Sequence, residues 1–431
     1  MEFPDTTSVT DVLDPIDLPE FVDVQYHPPS PEIDDVEAAT RTEIETLPLQ
    51  ELKEGSTVAI GIGSRGIHDI VSIARATINE IRARGFEPVV VPAMGSHGGA
   101  TADGQRRTLA ALGLTEEALG CPIDARMETT VVGHTSEGGN VHVATAVREA
   151  DATLVINRVK PHTNFYGPIE SGLCKMLTVG LGKQAGAQSV HRQALVHGYV
   201  PVIEESLAAI KEELEIVGGI AIVENAFDRT AEVVAVPGEQ LPENETDLLE
   251  RARKLMPTLP FDDLDVLIVE QIGKDVSGSG MDTNVIGRYG VLNTDDPERP
   301  QIKRIAVLGL TEATHGNGQG IGLADVTTVP VIRELDIEQM YRNAATSSSL
   351  TKANIPIVMP DDESAVTLAA SSIGPYDPES IKIAWIEDTA HLSSFRVSTA
   401  VLDGEDQPHV EVKGKQRLEF VDGDASFEPV P

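Results

Sequence analysis

Residues 57–92 read TVAIGIGSRGIHDIVSIARATINEIRARGFEPVVVP, and this stretch decides the fold class. Residues 57–62 form a short apolar run rich in β-branched side chains, the pattern of a buried strand. Residues 69–84 space their apolar side chains at helical intervals and stop before Gly85, a residue suited to closing a helix. Residues 88–92 are again strand-like. Strand, helix, strand in so short a span is a βαβ unit and predicts a parallel sheet.

The alternation continues outward. Residues 101–112 read as a helix stopped by Gly113, 153–157 as a strand, 202–214 as a helix and 219–224 as a strand. Residues 237–264 interrupt it: Pro237, Pro242, Pro257 and Pro260 bracket one charged helix, 245–256, which reads as a linker. Beyond it, 265–270, 305–310, 356–359 and 381–386 are expected strands, and 332–344 an expected helix. The expectation is therefore an α/β fold of two domains with mostly parallel sheets, 1–258 and 259–431. The acidic, proline-rich first 50 residues read as an irregular arm or edge strands, and the polar tail from Asp403 as peripheral.

At 431 residues the chain is long enough for two or three domains, and 41% hydrophobic content excludes wholesale disorder. Its 69 acidic residues outnumber 33 Lys and Arg, a formal net charge of −36. Such a field repels nucleic acid and anionic lipid, and an anionic substrate would need local cations to bind. The acid excess is spread along the chain, as expected of a surface kept hydrated in high salt, where screening shortens self-repulsion. Cys121 and Cys174 form neither a metal-type spacing nor a disulfide framework. The acidic N-terminus lacks the apolar core of a signal peptide, and no apolar run approaches the roughly 20 residues of a membrane span. A soluble cytoplasmic protein is expected, with neither nucleic acid nor membrane as partner.

Ligands of open α/β sheets bind beyond the C-terminal strand ends. The loops expected there carry Gly61-Ile62-Gly63-Ser64-Arg65-Gly66, then Met94-Gly95-Ser96-His97-Gly98-Gly99, then Arg158-Val159-Lys160-Pro161-His162, and Gly273-Lys274-Asp275. Each has an ordinary reading too. His97 suits a turn, His162 a strand cap and Lys274 an exposed surface. Gly61, Gly63 and Gly66 match a dinucleotide fingerprint, but no acidic residue closes the next strand, and a lone match is weak. Lys175 sits in the apolar, glycine-punctuated run 167–183. A lysine drawn into such surroundings is either paired or chemically used, and lysine amines can carry covalent cofactors. His191 and His197 follow without the partners of a standard zinc site.

With these residues in this order, the chain resembles the nickel-pincer lactate racemase family over residues 50–400. The carriers are the Arg65 loop, Gly95-Ser96-His97-Gly98, Pro161-His162, the Lys175 segment, His191 and Gly273-Lys274-Asp275. The resemblance implies a nickel-pincer nucleotide tethered to Lys175 by a thioamide, with Ni held by a carbon, two sulfurs and His191. It implies His97 and His162 as the acid/base pair, and Arg65 and Lys274 as holders of a substrate carboxylate. It also implies an active site in the cleft between two domains, a small-molecule 2-hydroxy acid as substrate, and cofactor-synthesis proteins as partners.

The implied reaction is racemisation or epimerisation by transient hydride transfer, because a carboxylate is a poor sink for the charge left by removing the α-proton. Histidine, with an unperturbed pKa of about 6.5, can take and return the hydroxyl proton near neutrality. His197 in place of His191, and Lys183 in place of Lys175, stay open. Pro168-Ile169-Glu170 resembles an insertion, and Arg288 or Asn284 is a candidate contact for a second polar group. The rival readings are a nicotinamide-dependent oxidoreductase and a non-catalytic small-acid binding protein.

Overall fold

The computed structural model describes residues 7–13, 16–375, 377–403, 407 and 409–430. The chain forms two compact units. The amino-terminal unit comprises Pro29–His162 and Tyr166–Met256, and the carboxy-terminal unit Met1–Pro28, Thr163–Phe165 and Pro257–Pro431. The strands, in chain order, are β1 (Phe21–Tyr26), β2 (Thr57–Ile62), β3 (Glu87–Pro92), β4 (Thr129–His134), β5 (Asn140–Ala144), β6 (Ala152–Arg158), β7 (Ile216–Glu224) and β8 (Thr230–Pro237). They continue with β9 (Asp263–Val269), β10 (Gln301–Val307), β11 (Val326–Thr328), β12 (Ile357–Met359), β13 (Ile383–Ile386), β14 (Ser394–Ser398), β15 (Val410–Val421) and β16 (Asp424–Pro429).

The amino-terminal sheet has the order β3-β2-β6-β7-β8. Its first four strands run parallel and β8 returns antiparallel. Side chains alternate faces along a strand. Val58, Ile60, Ile62, Leu154, Ile156, Ile220 and Ile222 share one face and one core with Ile73, Ile78 and Ile81 of the helix Ile70–Ala83. The opposite face is lined by smaller residues, Ala59, Gly61, Gly219 and Ala221, beside Val155. A Cβ on Gly61 would stand 3.2 Å from Leu181, and one on Gly219 would stand 2.8 Å from Leu173. The small residues thus let the Lys175 segment lie directly on the sheet. A separate ribbon pairs β4 with β5.

The carboxy-terminal sheet has the order β12-β11-β10-β9-β13-β14-β1-β15-β16. It is parallel from β12 to β13 and antiparallel from there on. Along β9, Leu267 and Val269 belong to one core and Val266 and Ile268 to another, so both faces are covered. The α/β class with largely parallel sheets is the observed one.

Two of these expectations differ from the structure, the placement of β1 and the single helix over 332–344. Residues 16–28 group with the carboxy-terminal unit and not with the amino-terminal one: β1 is an inner strand of the nine-stranded sheet, between β14 and β15, not an arm or an edge. Phe21 and Val24 are completely buried there, a pairing that local sequence cannot announce. The tail builds the hairpin β15–β16 at the sheet's end. The expected helix 332–344 is two helices, Val329–Glu334 and Ile337–Ser347, because the Asp336 carboxylate caps the second by accepting from Gln339 N. No helix among the described residues is long and apolar enough to cross a membrane.

Candidate active site

In the amino-terminal sheet, β3 lies on one side of β2 and β6 on the other. Strand order therefore reverses between β2 and β6, and the crevice beyond their C-terminal ends is where such sheets bind ligands. Four of the chain's candidate side chains couple there. Arg65, after β2, keeps solvent exposure, and partial desolvation, then the Arg158 charge, lowers its pKa. His97, after β3, has Nδ1 2.6 Å from Ser64 Oγ of the neighbouring loop. Partial desolvation, then Arg65 and Lys175, hold its pKa below the ordinary value. Its loop is tight: Gly98 has φ +69°, and a Cβ there would stand 2.6 Å from Gln105 N.

His162 follows β6 in a loop closed at its neck, where Lys160 N donates to Ser171 O (2.9 Å) and Ser171 N to Lys160 O (3.2 Å). The buried carboxylate of Glu170 organises that loop. It accepts from the His162 N–H and from Gly167 N at 3.0 Å. Arg253 Nη2 completes it at 2.5 Å, also donating to Gly167 O at 2.8 Å, and the guanidinium lies 4.2 Å over the Tyr166 ring.

Lys175 ends a single helical turn, Leu173–Lys175, whose Cys174 N–H donates to Glu245 Oε2 at 2.9 Å. A π-helical turn, Met176–Gly180, follows, closed by Leu181 N donating to Met176 O at 2.8 Å. Such turns concentrate at functional sites. The half-buried amine has a pKa lowered to about 7, chiefly by desolvation, then by Arg65, with Glu170 opposing. Glu245 and Arg253 both come from the helix Glu243–Leu255, the segment read from sequence as a linker. It braces both ends of the lysine loop. Burial raises the Glu245 carboxyl to about 7.

His191 lies on the helix Lys183–His197, its Nδ1 3.0 Å from Tyr199 OH. Its side chain is solvent-exposed, yet partial desolvation, then Lys175 and His97, lower its pKa to about 4, so it is neutral near pH 7. His197 is exposed six residues later, on a different face of the same helix. Lys183 is buried and serves as an anchor: Nζ donates to Pro92 O (2.8 Å) and Gln105 Oε1 (3.0 Å), while Gln105 holds Gly95 O (2.9 Å) below the His97 loop. The two lysines thus differ: Lys183 holds the fold, while the charge of Lys175 lowers the pKa of His97 and His191.

Lys274 belongs to the carboxy-terminal unit, after β9. Its N–H donates to Thr314 Oγ1 at 3.0 Å and its amine to Gly278 O. Arg288, a candidate contact for a second polar group, is committed to the fold: it pairs with Asp325 at 2.9 Å and donates to Leu323 O (2.9 Å) and Ile302 O (3.1 Å). Asn284 donates to Asp282 and accepts from Tyr289 OH. Sequence reading missed Tyr199, Arg253 and Glu245, and took Glu170 only as part of an insertion. The one available signal was acidic and basic residues facing an otherwise apolar run.

Fold and site together define a two-unit α/β protein with a cluster of histidine and lysine side chains at the switch point of its amino-terminal sheet. Residues 20–199 match the family described as the lactate racemase N-terminal domain, and over that span the chain is similar to that family. Among solved structures, the lactate racemase apoprotein from Thermoanaerobacterium thermosaccharolyticum is similar in fold. The TM-score is 0.51 and the sequence identity 15%, covering 86% of this chain and 98% of that one. No curated protein matches the chain.

Proposed function

We propose that this protein is a racemase or epimerase of a 2-hydroxy acid, carrying a nickel-pincer nucleotide on Lys175. The observation that carries the reading is the Lys175 amine, held to a pKa of about 7 beside two histidines and Arg65. A lysine must be neutral to be acylated, and at pH 7 an ordinary lysine rarely is. His191 is neutral at the same pH, the state in which imidazole binds nickel. Its Nδ1 is taken by Tyr199, which leaves Nε2 for a metal. The residues present therefore fit the group. When bound, it would supply an acceptor for the substrate's α-hydride.

The protein's own residues would bind, orient and move protons. Arg65 suits the carboxylate of the acid as a planar fork, and Lys274 is proposed as a second cation. His97, its Nδ1 engaged by Ser64, offers Nε2 to the substrate hydroxyl. Its lowered pKa makes it a base at neutral pH that can return the proton. His162 takes the same part for the opposite enantiomer. The local cations offset the chain's negative field for an anionic substrate.

The glycines that motivated a nicotinamide reading have another use. A Cβ on Gly61 would stand 2.9 Å from Val155, and one on Gly63 would stand 3.0 Å from Asn157 Oδ1 and 3.4 Å from the Met176 sulfur. They serve close packing around the lysine segment. The test is intact mass and metal content of the chain produced with cofactor-synthesis proteins, together with chiral separation of a panel of 2-hydroxy acids. Added mass on Lys175, nickel, and interconversion of enantiomers are expected. A chain with no added mass and no nickel overturns the reading.

A further inference from the structure

Tyr199 is marked by no motif, yet it touches two of the site's histidines at once. Gly198, at φ +82°, turns the chain between two helices so that Tyr199 opens the helix Tyr199–Glu213. The Tyr199 hydroxyl lies 3.0 Å from His191 Nδ1, and its ring meets the His191 ring edge-on, with centroids 5.8 Å apart. The same ring stacks on His162, with centroids 6.3 Å apart and planes 28° from parallel. His191 comes from the preceding helix and His162 from the loop after β6, so Tyr199 joins two elements that the sheet alone does not relate. An imidazole whose one nitrogen is held keeps a single orientation and offers only the other nitrogen.

We propose that Tyr199 is a positioning residue shared by the two histidines: its hydroxyl occupies His191 Nδ1, so that Nε2 alone faces a metal, and its ring sets the plane of His162. This rests on the roles given above to His191 and His162. It adds that the ligand and the acid/base residue are aligned by one common side chain. With a metal on Nε2, the Nδ1 hydrogen would be donated to the Tyr199 oxygen, as partners of metal-binding histidines commonly arrange.

The two contacts can be separated. Tyr199→Phe removes the hydroxyl and keeps the ring, whereas Tyr199→Leu removes both. The full-length chain labelled with 15N-histidine, without cofactor and at pH 8, is compared by long-range 15N–1H correlation of the ring nitrogens. In Tyr199→Phe the His191 nitrogens are expected to shift while those of His162 stay in place. In Tyr199→Leu both residues shift. Unchanged His191 resonances in Tyr199→Phe overturn the hydroxyl contact, and unchanged His162 resonances in a folded Tyr199→Leu overturn the stacking.

In the cofactor-loaded chain, nickel loss to a chelator should rise about tenfold to a hundredfold in Tyr199→Phe, the usual effect of removing such a partner. Equal loss from both proteins overturns the metal-facing part. A wild-type chain that takes up no nickel overturns the proposed function instead, and the ring-nitrogen shifts still decide the role of Tyr199.

Discussion

The two units each carry a switch point, and the two are chemically opposite. In the amino-terminal unit it lies between β2 and β6, and in the carboxy-terminal unit between β9 and β13, where strand order also reverses. At the first, desolvation and neighbouring cations lower the pKa of Lys175, His97 and His191. At the second, His391, exposed like His97 and His191, bonds Asp388 through Nδ1 at 2.8 Å. That bond raises its pKa, with Glu387 and Asp275 adding to the effect. The first set of surroundings lowers the pKa of its bases and the second raises that of its histidine. Topology therefore locates a site, but the charges and burial around it decide its chemistry.

The largest effect that can break this contrast is expected from Lys175→Ala. It should abolish the added cofactor mass and all interconversion while melting and circular dichroism stay as in wild type. Interconversion that survives in this variant would mean that the first switch point is not the reactive one. His97→Ala and His162→Ala should each lower kcat by about 10²–10⁴-fold, the usual worth of a general acid/base group, with the cofactor mass retained. His391→Ala, at the second switch point, should leave turnover unchanged. Chiral chromatography of the product reads all three, and full activity in either of the first two removes that histidine from the assignment.

Next comes the brace behind the lysine loop. Arg253→Met leaves the fully buried Glu170 carboxylate without its cation. Breaking such a pair costs about 3–5 kcal/mol, against about 0–1 kcal/mol for an exposed pair. Arg299→Met, which breaks an exposed pair with Asp262, is the comparison. Urea unfolding of both variants should show a large loss in the first and almost none in the second. Equal losses would show that the loop does not depend on this pair.

The smallest effects test the opposed histidines by sign. His191 has a folded pKa of about 4, below its unfolded value. Between the two values the unfolded chain binds more protons, so this contribution to stability is present above about pH 6.5 and is lost as pH falls toward 4. His391 has a raised pKa, so its contribution is present below the unfolded pKa and is lost as pH rises through the folded value. Melting temperatures across pH 4–8 should flatten on the acid side in His191→Gln and on the alkaline side in His391→Gln. Flattening on the same side in both would undo the contrast.

Much of the fold is legible where burial is regular. The strand expected over 57–62 is β2, and the helix expected over 69–84 is Ile70–Ala83, because each carries a clean apolar pattern. The helix Lys183–His197 escaped notice because its buried face is small or polar, Lys183, Gly186, Ala187, Val190 and Ala194, and leaves no apolar stripe to read. The strand β8 and the ribbon β4–β5 were missed, and β1 was not placed, since their stability comes from partners distant in sequence. Within the candidate site, loops and residue types were legible from glycines, histidines and lysines at expected strand ends. The brace was not, because Glu245 and Arg253 lie on a proline-bounded helix that has every mark of a connector.

The stretch 57–92 shows where that line falls. By itself the sequence determined a βαβ unit there, the α/β class, and the placement of Arg65 and His97 beyond strand ends, since periodicity and glycine position are local properties. Only the tertiary structure shows Lys183 tied to Pro92 O while desolvation and Arg65 lower the pKa of Lys175, and only it brought Tyr199 between His162 and His191. The physical reason is that protonation and ring orientation depend on solvent exclusion and on charges a few ångströms away. For Lys175 those neighbours include Arg65, which the chain reaches only by folding.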